Sequence, residues 1–275
     1  MRWKGISMII ADCHVHSEFS ADSDTPMERQ IERAIQSGLK ILTFTDHYDL
    51  DFPKLDGQDF LFDIPEYFDK ITSMRQRYEG KIQIRYGIEL GIQPHLGMEC
   101  HKISELYDWD FIIASTHLIF GLDPYYKEVF EKYTEKECYE EYFRLTYENM
   151  KTFSEYSTYG HLDYIVRYGP NKNREYSYER YKEWIDKCLM HLIEQGKALE
   201  VNTSGYRSGL GYANPQADVL VRYRELGGEL LTIGSDSHAP EQIAYDFKRA
   251  EQMLKEAGFR YYAVYHKRQP ELFKL

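Results

Sequence analysis

Cysteine is scarce and scattered in this chain. Its four residues, Cys13, Cys100, Cys138 and Cys188, form no Cys-x-x-Cys pair and no dense framework, which excludes a disulfide-stapled scaffold and leaves reduced, buried thiols of the kind cytosolic proteins keep. Long apolar runs are missing as well. None reaches the roughly 20 residues that span a bilayer, and Met1 to Met8 lacks the apolar segment of a secretion signal. A soluble, cytoplasmic protein without membrane contact is expected. Basic charge is in deficit, with 34 Lys and Arg against 45 Asp and Glu for a net charge of -11. Long nucleic acid is bound through clustered cations that release counterions, so the deficit argues against that partner but not against a small anion gripped locally. No linker, repeat or low-complexity segment interrupts the 275 residues, and they read as one domain, 1–275, a length that α/β barrels reach.

What the chain does have is alternation. Short apolar runs recur between helical patterns, the signature of repeated βα units around a parallel sheet. The runs are Met8 to Asp12, Ile41 to Thr45, Ile82 to Leu90, Phe111 to Ser115, Thr158 to Gly160, Ala198 to Asn202, Leu230 to Gly234 and Tyr261 to Tyr265. Helices are expected over Pro26 to Ser37, Pro65 to Tyr78, Glu135 to Phe153, Tyr178 to Gln195, Pro215 to Leu226 and Pro240 to Ala257. Pro26 suits a first helical turn and Gly38 a helix end. Tyr48 to Asp63 reads as a loop whose Phe52, Phe60 and Phe62 either cover a pocket or cap the rim of the barrel. The 25 tyrosines lie mostly on helical stretches, as Tyr139, Tyr142 and Tyr147 do, and packing accounts for them.

The chemistry collects after the strands. The first run leads to His14 and His16, which an extended backbone points to one face so that both imidazoles reach one metal ion, with Cys13 turned the other way into the packing. The second leads to Asp46 and His47, the third to Glu89, the fourth to His117, the fifth to His161, and the seventh to Asp236 and His238. In a parallel barrel these strand ends converge on one face, where barrel enzymes place their sites. Six of the ten histidines sit this way, while His95, His101, His191 and His266 fall in helices or loops and read as structural. Imidazole mixed with carboxylate suits zinc, iron or manganese. Clustered divalent ions sharing a hydroxide are chemistry for hydrolysing a phosphate monoester. Arg167, six residues after His161, is the first choice for gripping the phosphate, because a guanidinium binds two oxygens at once. Arg207 and Ser204 follow; they lie after the sixth run, which offers no metal ligand. Asp46 either orients a ligand or caps a helix.

The ordered set His-x-His, Thr-Asp-His, Ser-Thr-His and Asp-Ser-His resembles the polymerase and histidinol phosphatase (PHP) family, from Met8 to about Phe259. The resemblance implies a distorted, TIM-like (β/α)7 barrel with three divalent metal ions in its mouth. It implies that His14, His16, Glu89 and Asp236 hold one ion, that Glu89 bridges to a second completed by His117 and His161, and that Asp22, His47 and His238 hold the third. Asp22 is preferred to Asp24 because its distance from His16 matches the family. The activity implied is phosphomonoester hydrolysis by a metal-bridging hydroxide, with Asp22 or the His238 region giving the leaving alcohol its proton. Chain length, the loop after His47 and the Arg167 stretch point within the family to L-histidinol phosphate, a small phosphorylated substrate of histidine biosynthesis. The alternatives are a nucleotide-directed phosphatase or exonuclease, a phosphotyrosine phosphatase, an amidohydrolase, whose common fourth-strand lysine is absent here, and a non-catalytic metal-binding barrel.

Overall fold

The computed structural model describes residues 9–54, 57 and 59–275. Met1 to Met8, including the expected start of the first strand, and Leu55, Asp56 and Gln58 of the expected loop lie outside the described residues. Eight parallel strands form the main sheet: β1 (Ala11–Val15), β2 (Ile41–Phe44), β3 (His47–Asp49), β4 (Gln83–Gly91), β5 (Phe111–Ser115), β6 (Thr158–Tyr159), β7 (Ala198–Asn202) and β8 (Leu231–Gly234). They are ordered β1, β2, β4, β5, β6, β7, β8, with β3 also on β4. β2 and β3 keep one register against β4, Phe44 opposite Tyr86 and His47 opposite Glu89. They are one stave interrupted at Thr45 and Asp46, so the sheet has the seven staves of the expected distorted barrel.

The ends of the sheet meet over a short seam. Val15 bridges Ser237; the His14 carbonyl accepts from the amides of Asp236 (2.8 Å) and Ser237 (3.3 Å), and the His16 amide donates to the Ser237 carbonyl (2.8 Å). Against β2, β1 shifts register between Asp12 and Val15, a bulge of the kind that re-aims side chains beside sites.

The helices are α1 (Met27–Gln36), α2 (Ile64–Arg77), α3 (Gly97–Leu106), α4 (Glu128–Lys132), α5 (Glu135–Thr152), α6 (Tyr178–Glu194), α7 (Ser204–Arg207), α8 (Ala217–Glu225) and α9 (Phe247–Glu256). Their sequences say why they start. Asp63 accepts from the Glu66 amide ahead of α2, and Thr134 and Glu137 form a reciprocal capping box at α5. Helix α1 buries Met27, Ile31 and Ala34, and with them Gln30, whose amide nitrogen donates to the carbonyls of His16 (2.9 Å) and Ser237 (3.2 Å) on both sides of the seam. No helix among the described residues is long and apolar enough to cross a membrane.

Several expectations change. The loop expected from Tyr48 begins inside β3, and α3, α4 and α7 appear where no helix was expected. The expected helix from Pro240 to Ala257 is a short 3-10 turn, Pro240–Gln242, followed by α9. Between them Ala244 donates its amide to buried Asp12 (3.0 Å), and Ala244 and Asp246 take left-handed backbone angles, so this tie to β1 breaks the helix. The eighth run stands outside the barrel as β9 (Tyr261–His266), paired antiparallel with β10 (Gln269–Lys274); His266 thus ends a strand.

Candidate metal centre

All nine residues expected to hold metal converge at the carboxyl ends of the strands. Glu89, fully buried on β4, is their centre. Its Oε2 lies 3.1 Å from Nε2 of His14, 3.5 Å from Nε2 of His16 and 2.9 Å from Nδ1 of His47. Its Oε1 lies 3.2 Å from Nε2 of His117 and 3.0 Å from Nε2 of His161, and accepts from Ser115 Oγ (2.7 Å). Asp236 Oδ1 closes the first group, 3.8 Å from His14 and 3.4 Å from His16. Asp22 Oδ2 lies 3.7 Å from Nε2 of His47 and 3.2 Å from Nε2 of His238. His47 also approaches Glu89 and His117, and His16 approaches His47 and His238, so neighbouring groups share members.

The donors fit divalent metal. His16 Nε2, His47 Nδ1 and His238 Nε2 are buried and have no hydrogen-bond partner among the described residues, although carboxylate oxygens stand 2.9 to 3.5 Å away. The atoms converge without aiming at one another. Ligands about 2.0 to 2.1 Å from a tetrahedral ion stand about 3.3 Å apart, which is the spacing seen. The charges are mutually dependent. Burial opposes charge on Glu89, but His14, His47 and His117 hold its carboxyl well below the usual range; burial likewise opposes charge on His14, but Glu200, Glu89 and Asp236 raise it well above the usual histidine range. Burial, with His238 and His47 beside it, drives His16 the other way.

Behind these groups stands a layer that sequence reasoning missed. Glu200 of β7 lies 2.5 Å from Nδ1 of His14 and accepts from the His161 amide (2.7 Å), turning Nε2 of His14 toward Glu89. The sixth run therefore contributes a carboxylate to the site after all. Asp49 does the same for His117, 2.5 Å from its Nδ1. Asp46 acts one step further out, accepting from Ser17 and Ser20 (2.8 Å), while Ser20 Oγ lies 2.9 Å from Nδ1 of His16; it caps no helix. Two glycines make room: a Cβ at Gly91 would stand 2.2 Å from Asp49, and one at Gly234 2.3 Å from Cβ of His14. Both misses carried a signal. A glutamate inside an otherwise apolar, buried run needs a partner, and Asp49, two residues past His47, shares its face of the strand. Glu200→Gln is expected to weaken metal affinity about 10- to 100-fold with the circular dichroism spectrum intact; equal affinity in chelator competition would rule out this orienting role.

A cavity of about 410 Å³ opens over the cluster, lined by Asp22, His47, His117, His161, Asp236 and His238 on one side, and by Arg167 with several aromatic rings on the other. Arg167 rests on the Tyr164 ring, 5.1 Å from its centroid. Its Nη2 donates to Ser204 Oγ (2.5 Å) and lies 3.5 Å from Asp236. Ser204 is itself buried and 3.0 Å from Asp236 Oδ2. Arg207 is placed otherwise than expected: it is not among the cavity-lining residues, and its guanidinium donates to the carbonyls of Ser235 (2.6 Å) and Asp236. It clamps a turn in which Asp236 has φ 55°, a costly conformation that aims the carboxylate at the histidines. Of the loop phenylalanines, Phe52 and Phe60 line the cavity, whereas Phe62 packs on Phe19, Tyr48 and Tyr67.

Residues 12–204 match the family model described as the PHP domain. The histidinol-phosphatase of Lactococcus lactis is 33% identical over 258 residues, 92% of this chain and 93% of that protein. A Clostridium acetobutylicum protein named "Probable histidinol-phosphatase" is 31% identical over 252 residues, 92% of this chain and 95% of that one. The crystal structure of histidinol phosphate phosphatase from Lactococcus lactis, complexed with zinc, L-histidinol and phosphate, matches with a TM-score of 0.86 and 32% identity, covering 95% of this chain and 98% of that one. With the model spanning most of the barrel and relatives aligned over nearly its full length, the chain belongs to the PHP domain family.

Proposed function

We propose that this protein is a metal-dependent phosphomonoesterase that hydrolyses L-histidinol phosphate to L-histidinol and phosphate. The observation that carries the reading is a carboxylate, Glu89, with each oxygen facing its own set of imidazoles, of which His47, His117 and His161 line a cavity that Arg167 also lines. The substrate is taken from the Lactococcus lactis relative, whose crystal holds L-histidinol and phosphate together with zinc.

In this reading His14, His16, Glu89 and Asp236 hold one divalent ion, Glu89, His117 and His161 a second, and Asp22, His47 and His238 a third; zinc, iron and manganese all suit the donors. Such ions supply Lewis acidity, which makes water nucleophilic near neutral pH and offsets the charge of a phosphate dianion. The chain's own groups do the rest. Arg167 presents its guanidinium to the phosphate oxygens, and Ser204 holds it there. Its Nε is buried and unpaired among the described residues, a donor left for an incoming oxygen. Arg207 fixes the turn of Asp236 from behind. The proton for the leaving alcohol is assigned to the region of the cavity wall where Asp22 and His238 stand. The test is phosphate release from histidinol phosphate against a panel of nucleotides and phosphotyrosine at equal concentration. Histidinol phosphate should lead; a tenfold preference for another member would overturn the assignment.

A further inference from the structure

We propose that Asp123 receives the cationic end of the substrate, so that the cavity is bipolar, with Arg167 for the phosphate at one flank and Asp123 for an ammonium at the other. The inference rests on the phosphomonoesterase reading above. Asp123 lies in the segment between β5 and α4 and lines the cavity without belonging to the metal-ligand set. Its Oδ1 is fixed by the Tyr125 amide (2.8 Å) and faces the Tyr164 hydroxyl (3.4 Å). The cationic side chain acting on it is His117, not a Lys or Arg. Burial pushes its carboxyl up to about 6 against the opposing pull of the Tyr125 amide and His117, the mark of an anion whose lost water is only partly made good. A bound cation would remove that cost.

Tyr164 joins the two poles. Its ring carries the Arg167 guanidinium, and its hydroxyl reaches toward Asp123. A small molecule seated across this one ring therefore places an anion and a cation a few bonds apart. The wall supplies flat faces as well: Phe52 packs on Phe60 with centroids 4.3 Å apart, and Tyr125 stands edge-on to Tyr168 at 6.0 Å. Such rings suit a heteroaromatic group and attract a cation to their faces. The ligand class is an amino alcohol phosphate bearing a small aromatic ring. Nucleotides, whose bases are uncharged at neutral pH, leave Asp123 unpaired.

The test reads a ratio. Histidinol phosphate and phenyl phosphate, which has no cation, are compared as substrates of the metal-loaded wild type and of Asp123→Asn. The ratio of their kcat/KM values should fall about 10- to 100-fold in the variant, the worth of one charged hydrogen bond. In the wild type, L-histidinol should inhibit at least tenfold better than the same alcohol lacking its amino group. Equal loss on both substrates, or equal inhibition by the two alcohols, overturns the role of Asp123 while leaving the phosphatase reading intact. A wild type inert toward histidinol phosphate but active on phenyl phosphate overturns the substrate reading instead. If Asp123→Asn does not fold, Asp123→Ser is read in the same way, and the inhibitor comparison needs no variant.

Discussion

Glu89→Gln is expected to lower kcat/KM by about a thousandfold or more, the scale of several kcal/mol of lost transition-state charge stabilisation. It should also reduce the metal content, which for the wild type should exceed one ion per chain. The substitution is nearly isosteric, so the barrel should persist by circular dichroism. Its chemistry is not conservative. One anionic oxygen becomes an amide NH2, a donor aimed at ring nitrogens that are themselves donors or metal ligands, in a place where neither water nor solvent ions can compensate. Both sets of imidazoles lose their shared anion at once, which is why no other single ligand should cost as much. Full metal content with activity within tenfold of wild type would remove Glu89 from the centre of the mechanism.

Arg167→Ala is expected to lower kcat/KM by about 100- to 1,000-fold, as losing a preorganised donor to a charged transition state does, with metal content unchanged because Ser204 still holds Asp236 at 3.0 Å. Arg167→Lys should recover only part of the loss, since an ammonium keeps the charge but not the planar pair of donors. A rate within threefold of wild type in the alanine variant would reduce Arg167 to a charge partner of Asp236.

The barrel and its ligands were legible in the sequence for the same reason. Strand runs such as Phe111 to Ser115 and Ala198 to Asn202 are buried on both faces, so they stand out as apolar segments with bounds matching the observed strands, and the histidines mark where those segments stop. Elements fixed by distant partners were not legible. Ala244 breaks a well-patterned helix because Asp12, far away in the chain, accepts its amide. Arg207 looked like a phosphate ligand beside Ser204, yet its guanidinium is taken up by the carbonyls of Ser235 and Asp236, which local composition cannot reveal. Asp123, flanked by Leu122 and Pro124, carries no periodic signal; only the fold brings it to Tyr164.

The seam between β1 and β8 gives the centre a second meaning. The carbonyl that closes the barrel belongs to His14, and the amides it receives belong to Asp236 and Ser237, so residues assigned to one ion also fasten the two ends of the sheet, with Gln30 spanning the join from outside. An ion held between His14 and Asp236, as proposed, would cross-link a loop of most of the chain, the kind of closure that most restricts an unfolded polypeptide. Bound at a thousand times its dissociation constant, it would add about 4 kcal/mol to folding, a large share of the stability of an ordinary domain. Loss of metal would then be a loosening of the hoop as well as a loss of turnover, and His14 would answer for both.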